Sequence, residues 1–352
     1  MKKAILELED GSRYEGRSFG HEQSVSGELV FYTAMTGYPE SLTDPSYKGQ
    51  ILIPTYPMIG NYGVPDDEQR DGISRFFESD HIQCTALVIS DYSDRYSHWD
   101  SRRSLGTWLK QEGVPGLCGI DTRELTKKLR EQGAMLGKIR FEGEDVPFYD
   151  PNKDNLVAQV STKEVHTYGN GRHKVLLVDC GMKNNILRCL LKHDVTIKRV
   201  PWDYDFTHED YDGLFLSNGP GDPTQCGATI EHLKAALKGD KPIMGICLGN
   251  QLLALAAGAK TYKLKYGHRG HNQGVVVPGT HKCFITSQNH GFAIDESTLP
   301  ADWEPMFRNL NDGTNEGIQH RSKPFFSTQF HPEASSGPVD TESLFARFIA
   351  SM

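Results

Sequence analysis

The sequence predicts an α/β protein of two domains, in which a β-rich α+β domain precedes an open, mostly parallel sheet flanked by helices. Three observations support this. The chain has 352 residues, which exceeds the usual length of one domain. Short alternating runs broken by glycine fill the first half. In the second half, apolar strands alternate with amphipathic helices, a pattern typical of a parallel sheet covered on both faces.

The first domain is predicted over residues 1–150. Its opening stretch, AILELEDGSRYEGRSFG, reads as strands joined by a hairpin-type turn at Asp10-Gly11. One helix has clear boundary signals, since Asp121 and Glu124 have the spacing of a capping box and Gly133 supplies the stop. We therefore expect a mostly β fold with a few helices.

The polar, turn-rich stretch 151–172 is predicted as a linker to a second domain over residues 173–352. There, KVLLVDCG, VTIKRV, GLFLSNGPGD and PIMGI read as strands, separated by NNILRCLLKHD and by a helix ending at Gly239. LGNQLLALAAG then reads as a helix ending at Gly258. The tail from about residue 261 to 330 returns to strands and turns.

Composition excludes several functional classes. The net charge is −8 and no basic run occurs, so we expect neither nucleic acid nor an acidic membrane surface as a partner. No stretch reaches the roughly 18 consecutive apolar residues of a membrane span. The start, MKKAILELEDG, lacks the apolar core of a signal peptide, which favours a cytoplasmic protein. Seven scattered cysteines without CxxC pairs argue against disulfides and zinc, and no metal site is predicted.

The stretch KPIMGICLGNQLLALAAG places Cys247 between Gly245 and Gly249, after a strand and before a helix. This is the layout of a nucleophile elbow with cysteine in place of serine. A helix N-terminus favours the thiolate, and the amide of Leu248 would face a developing oxyanion. The alternative is a buried packing cysteine. Cys180 also lies between a strand and a helix but has no glycine two residues before it.

A cysteine nucleophile needs a base, and the base needs an orienting group. His331 follows an apolar strand, and Glu333 comes two residues later. Residues i and i+2 on extended chain face the same side, and Pro332 biases His331 towards extended geometry. The two residues are therefore predicted as a base–carboxylate pair.

Other motifs are weaker. His268 and His271 in GHRGH could bind a metal, but they have no acidic or cysteine partner at ligand spacing. His290 stays ambiguous. No GxxxxGK[ST] or GxGxxG motif occurs, so ATP binding by this chain is unsupported. The loop Gly219-Pro220-Gly221 is better explained as a second backbone donor to the oxyanion.

GICLGNQ, the later HPE and the earlier SNGPGDP together resemble the class I, triad-type glutamine amidotransferases over residues 173–352. GELVFYTAMTGYPESLTDPSYKGQ, GIDTRELT, YGHRG and QNHGFA extend the resemblance to the whole chain, which is similar to the small, glutamine-hydrolysing subunits of carbamoyl phosphate synthetases. Gly274 and Ser336 stand where proline is common in that family.

The resemblance implies catalysis by Cys247, His331 and Glu333 through a thioester, with Leu248 and Gly219 or Gly221 holding the oxyanion. It further implies the residues that bind L-glutamine: Ser46, Gln251, Asn289, Gly291 and Phe292.

The resemblance also implies a large-subunit partner, in a heterodimer with higher oligomers left open. That subunit would use ATP, Mg²⁺, bicarbonate and the released ammonia to make carbamoyl phosphate for arginine and pyrimidine synthesis. This chain itself is expected to hold no cofactor, and its N-terminal domain is the expected partner interface.

Three other interpretations stay open. One is an amidotransferase subunit for GMP or anthranilate synthesis, which leaves residues 1–150 unexplained. Another is a free glutaminase or γ-glutamyl peptidase. The third is a non-catalytic scaffold subunit, against which the presence of Cys247, His331 and Glu333 argues.

Overall fold

The computed structural model describes residues 1–352, which divide into two units, residues 1–154 and 155–352. No helix has the length and apolar character of a membrane-spanning segment. Each unit has its own sheet and its own buried core.

The first unit is built around a closed seven-stranded barrel with the order β1-β13-β3-β4-β9-β12-β2. Closing the sheet leaves no unpaired edge among these strands. The strands of this unit are β1 Lys3–Leu8, β2 Arg13–Ser18, β3 Val25–Tyr32, β4 Gln50–Pro54, β5 Met58–Ile59, β6 Val64–Pro65, β7 Gln69–Arg70, β8 Ile73–Ser74, β9 Ala86–Val88, β10 Asp91–Tyr92, β11 Ser101–Arg103, β12 Gly116–Cys118 and β13 Met135–Phe141.

Three helices accompany the barrel: α1 Tyr38–Thr43, α2 Leu105–Gln111 and α3 Thr122–Gln132. In α3 the predicted start is confirmed, because the Asp121 side chain accepts a hydrogen bond from the Glu124 N–H at 2.9 Å. The reciprocal half of a capping box is replaced, since the Glu124 carboxylate instead accepts from the Tyr14 hydroxyl at 3.3 Å. Gly133 ends the helix with φ 105°, a backbone conformation that favours glycine.

The second unit is a ten-stranded mixed sheet with helices, which confirms the predicted α/β class. Its order is β14-β16-β15-β17-β18-β23-β22-β21-β19-β20. Its strands are β14 His166–Gly169, β15 His173–Asp179, β16 Val195–Pro201, β17 Gly213–Leu216, β18 Ile243–Ile246, β19 Lys260–Val276, β20 Cys283–Asp295, β21 Trp303–Asn309, β22 Asn315–His320 and β23 Phe325–Thr328. Its helices are α4 Val157–Val160, α5 Asn184–Leu190, α6 Gly227–Ala236, α7 Leu248–Ala257 and α8 Ser343–Ala350.

Five neighbouring strands in the middle of the sheet are parallel, namely β16, β15, β17, β18 and β23. Antiparallel strands extend the sheet on both sides. The four residues of β18 are all buried, as expected for a strand covered on both faces. The carboxyl ends of β15, β17, β18 and β23 therefore lie at the same edge of the sheet.

The predicted linker 151–172 is divided between the two units, since residues 151–154 belong to the first unit and residues 155–172 to the second. Residues 155–172 carry α4 and β14, and β14 pairs with β16 in the second unit. Buried Asp179, at the end of β15, ties this segment to the sheet. Its carboxylate accepts from the Thr162 N–H at 2.9 Å and from Arg199 Nη2 at 2.6 Å. The segment lacks a long apolar run, so its attachment through hydrogen bonds was not visible in the pattern.

Candidate active site

Cys247 lies between the last residue of β18 and the first residue of α7, at the predicted elbow. Its backbone has φ 53° and ψ −102°, a conformation that costs a non-glycine residue free energy. A Cβ on Gly245 would be 2.6 Å from the Gly249 carbonyl oxygen, and a Cβ on Gly249 would be 2.4 Å from that of Leu216. Only glycine fits at either position, which explains the motif physically.

Besides His331, two polar groups lie close to the sulfur of Cys247. The side chain is 2% exposed. Its Sγ lies 3.5 Å from the Asn289 carbonyl oxygen and 3.7 Å from Gln329 Nε2. The Cys247 N–H donates to the carbonyl of Thr328 at 2.8 Å, which fixes the elbow to the end of β23.

Cys180, the alternative nucleophile, is fully buried at the end of β15. Burial raises the pKa of its thiol well above the ordinary value, which disfavours the reactive thiolate. The geometry therefore favours Cys247.

The predicted pairing of His331 with Glu333 is present. His331 Nδ1 lies 2.6 Å from Glu333 Oε1, and both side chains are buried. The opposite ring nitrogen, Nε2, has no hydrogen-bond partner. Burial lowers the pKa of His331, but the charges of Glu333 and Cys247 raise it by more, to about 10. The imidazole next to the sulfur is thus poised as a cation.

Lys183 is a site residue that the sequence analysis missed. Burial raises the pKa of Glu333, yet the cations of Lys183 and His331 lower it to about 2. Lys183 Nζ lies 3.2 Å from Glu333 Oε1 and also donates to the carbonyl of Ala334. The lysine lies 150 residues from the carboxylate along the chain, and no local pattern signals the pair.

The two backbone segments predicted to bind an oxyanion are neighbours. A Cβ on Gly219 would be 2.8 Å from Leu248 Cδ2 and 2.0 Å from the carbonyl oxygen of Cys180. Gly221 has φ 82°. Leu248 carries the first N–H of α7, one of the amides that a helix leaves without an internal acceptor. The roles of these residues stay predictions.

Four of the predicted glutamine-binding residues lie beside Cys247 or α7. Asn289, Gly291 and Phe292 are in β20, and the Phe292 carbonyl oxygen accepts from Gln251 Nε2 at 2.8 Å. Gln251 is on the first turn of α7. The fifth residue, Ser46, belongs to the first unit, in the turn Pro45–Tyr47, where its N–H donates to the Asp44 carboxylate at 2.9 Å.

A buried cluster of His268, His290 and Glu316 has potential ligand atoms within 4.8 Å of one another. Three of its four ring nitrogens have a hydrogen-bond partner in the protein. His268 Nε2 lies 2.9 Å from Asp312 Oδ2, whereas its Nδ1 lies 3.4 Å from Glu316 Oε1 and makes no hydrogen bond. His290 lies 2.8 Å from the Phe292 carbonyl oxygen and 3.2 Å from Gln288 Oε1. We interpret the cluster as a hydrogen-bond network behind β20.

Two departures from the family pattern also have identifiable neighbours. Ser336 Oγ lies 3.4 Å from His271 Nε2. Burial lowers the pKa of His271 to about 4, and Lys183 and His331 reinforce this. Gly274 lies in β19, where a Cβ would be 3.0 Å from Leu310 Cδ1.

Comparison with known proteins agrees with these motifs. Residues 176–351, half of the chain, match the family model for glutamine amidotransferase class-I. Residues 6–139 match the model for the carbamoyl-phosphate synthase small chain, CPSase domain.

Relatives match along the whole chain. Multifunctional protein CAD of Squalus acanthias is 55% identical over 98% of this chain and 16% of that protein. The mitochondrial carbamoyl-phosphate synthase (ammonia) of Mus musculus is 52% identical over 99% of this chain and 24% of that protein. This chain thus spans less than a quarter of either relative. Among solved structures, PurLQS from Thermotoga maritima aligns with 51% of this chain and 98% of its own, at 18% identity and a TM-score of 0.41.

The resemblance that the motifs indicated is thereby confirmed. The chain belongs to the class-I glutamine amidotransferase family, and residues 6–139 match the carbamoyl-phosphate synthase small-chain domain.

Proposed function

We propose that this chain hydrolyses L-glutamine and supplies the ammonia to a synthetase that makes carbamoyl phosphate. The observation that carries the proposal is the arrangement around Cys247. A buried sulfur lies on a strained turn at a helix N-terminus. Its charge helps to raise the pKa of the His331 imidazole, and Nδ1 of that ring lies 2.6 Å from the Glu333 carboxylate. This is the constellation that cysteine nucleophiles use for acyl transfer.

In the first half-reaction, the Cys247 thiolate attacks the side-chain carbonyl carbon of glutamine. The oxyanion of the tetrahedral intermediate accepts hydrogen bonds from the N–H of Leu248 and of Gly219 or Gly221. His331, as an imidazolium, gives its proton to the leaving nitrogen. The C–N bond breaks, ammonia leaves, and a γ-glutamyl thioester remains on Cys247.

In the second half-reaction, neutral His331 takes a proton from water as that water attacks the thioester carbon. The C–S bond breaks, glutamate leaves, and the sulfur and imidazolium return as an ion pair. Glu333 holds the imidazole ring throughout and stabilises its cation. Lys183, 3.2 Å from Glu333 Oε1, keeps that carboxylate ionised.

The residues that bind the substrate follow from the same proposal. Gln251, Asn289, Gly291 and Phe292 would hold the substrate glutamine, and the role of Ser46 stays a prediction. The partner would be a synthetase domain or subunit that uses bicarbonate, ATP and Mg²⁺. Both relatives named above are longer proteins that include a region similar to this chain. We propose that carbamoyl phosphate formed in this way serves arginine and pyrimidine synthesis.

The test is glutamine hydrolysis by the purified chain, alone and with a cognate synthetase, ATP and bicarbonate. Wild type and Cys247→Ser are assayed in parallel. We expect slow hydrolysis by wild type alone and strong stimulation by the complete system, with carbamoyl phosphate formed. Cys247→Ser should lose the use of glutamine and keep the use of free ammonia, because ammonia bypasses the thioester.

Loss of ammonia use as well would mean that Cys247 is structural. Equal, unstimulated hydrolysis by the two proteins would refute the proposal. The second candidate, a non-catalytic subunit, has one specific observation in its favour: a relative at 52% identity is named for ammonia. It predicts that wild type and Cys247→Ser support the same ammonia-dependent synthesis and that neither uses glutamine.

A further inference from the structure

We infer that Gln329 is a positioning residue for the nucleophile: its side-chain amide donates a hydrogen bond to the sulfur of Cys247 in the thiolate form. Gln329 follows β23 directly, lies two residues before His331, and has no exposed surface. The inference rests on the proposed function, because a thiolate matters only if Cys247 is the nucleophile.

The surrounding hydrogen bonds determine which end of the amide faces the sulfur. The Phe292 carbonyl oxygen can only accept, so Gln251 must present its NH₂ group there, at 2.8 Å. The same NH₂ group lies 3.0 Å from Gln329, so the Gln329 atom on that side is the carbonyl oxygen. Asn250 donates to this oxygen as well, at 3.1 Å. The NH₂ group of Gln329 is therefore the end that lies 3.7 Å from the Cys247 sulfur.

Asn289 and Gln329, the two polar neighbours of the sulfur other than His331, distinguish its protonation states. The Asn289 carbonyl oxygen, 3.5 Å away, can only accept, so it pairs with the thiol. The Gln329 NH₂ group can donate, so it stabilises the thiolate, since a hydrogen bond to the charged form favours that form. Gln329 thus adds a fixed neutral donor to the positive charge of His331.

Main-chain hydrogen bonds fix the position of Gln329. The Gln329 N–H donates to the Glu316 carbonyl oxygen at 2.9 Å. The preceding carbonyl, of Thr328, accepts from the Cys247 N–H at 2.8 Å. Both sides of the residue are therefore tied to neighbouring segments, and the amide is tied to Asn250 and Gln251.

The experiment compares wild type, Gln329→Met and Gln329→Glu. Methionine keeps the approximate length and volume but removes the donor, and at alkaline pH glutamate keeps the acceptors for Asn250 and Gln251 without a donor. Gln319→Met is the matched control, because Gln319 lies in the adjacent β22 and binds Glu304 and Arg347 instead. Two quantities are measured: kcat and KM for glutamine hydrolysis, and the pH profile of iodoacetamide alkylation at Cys247, read by peptide mass spectrometry. Exposed Cys283 serves as the internal reference.

Gln329→Met should lower kcat about tenfold, the effect of one hydrogen bond to a charged group, and should move the alkylation midpoint of Cys247 to higher pH by about one unit, which is the same tenfold factor. Gln329→Glu should have a larger effect on both quantities, because its carboxylate also repels the thiolate. KM should change less, because Gln251 stays bonded to Phe292. Gln319→Met should match wild type in each measurement.

An unchanged alkylation profile in the Gln329 variants overturns the inference, even if their thermal stability falls, because a purely structural residue would affect stability alone. The alkylation profile requires no turnover. It therefore tests Gln329 separately from the proposed function, which fails instead if wild type and Cys247→Ser hydrolyse glutamine equally.

Discussion

Gly249→Ala tests the elbow at its tightest contact. The added Cβ would lie 2.4 Å from the Leu216 carbonyl oxygen and 2.7 Å from Leu216 Cβ, whereas ordinary contact begins at 3.4 Å. Relief of the first contact therefore requires about 1 Å of movement between α7 and β17. Leu216 is backbone-paired in the middle of the sheet, so the movement falls mainly on the start of α7 and on Cys247.

Two free-energy terms oppose each other in this variant. Alanine in a helix is favoured over glycine by up to about 1 kcal/mol, and overpacking of a rigid site costs about 1–3 kcal/mol. We expect a net loss of about 1 kcal/mol in the free energy of unfolding. The effect on rate is larger, because a misplacement of about 1 Å lowers a rate by about 100-fold.

The assay pairs glutamine hydrolysis with urea unfolding, and Gly227→Ala is the control. Gly227 opens α6, and a Cβ there meets no atom within 4 Å, so alanine should leave activity unchanged and stability equal or higher. A Gly249→Ala protein with the wild-type rate would refute the proposal that this glycine sets the position of the sulfur.

Two further predictions concern stability. The folded-state pKa of His331 is raised from 6.5 to about 10 and that of Glu333 is lowered from 4.5 to about 2. The stabilisation from the raised histidine is therefore full below pH 6.5 and lost towards pH 10, and that from the lowered glutamate is full above pH 4.5 and lost towards pH 2. Urea unfolding is measured across pH for wild type and for a His331→Asn, Glu333→Gln double variant. The difference in their free energies of unfolding should be largest between pH 4.5 and 6.5, and a difference that does not depend on pH would contradict the ion pair. Asp179→Ala should lower the free energy of unfolding by about 3 kcal/mol, because it leaves Arg199 and the N–H groups of Thr162, Gly181 and Met182 without their acceptor. A loss below about 1 kcal/mol would show that residues 155–172 are held in another way.

Local sequence patterns predict most of the strands and helices of the second unit. The elbow follows from glycines that lie within two residues of Cys247, and the His331–Glu333 pair follows from the two-residue period of extended chain. The same period places Gln329, two residues before His331, on the same side of the chain, but an uncharged amide carries no sequence signal of a role in catalysis.

Local sequence patterns do not predict contacts between residues that are far apart along the chain. Lys183 approaches Glu333 only because α5 and the chain after β23 meet at the same edge of the sheet. The barrel of the first unit closes by pairing β1 with β13, more than a hundred residues apart, and alternation identifies strands without identifying partners. The segment 155–172 is attached through hydrogen bonds and one added strand, which its polar composition conceals.

The parallel pairing of β18 with β23 also has a consequence for how the protein acquires its chemistry. Ile246 pairs with Thr328, and this strand pair brings Cys247 close to His331. The two strands are separated by some eighty residues, which form α7 and four other strands. Such a non-local pairing forms only after a large loop-closure entropy has been overcome. During synthesis, Cys247 leaves the ribosome long before His331 and has no base until β23 inserts. The proposed glutaminase activity would therefore appear only after the β18–β23 pair has formed, and a form of this unit without that pair would carry Cys247 without its base.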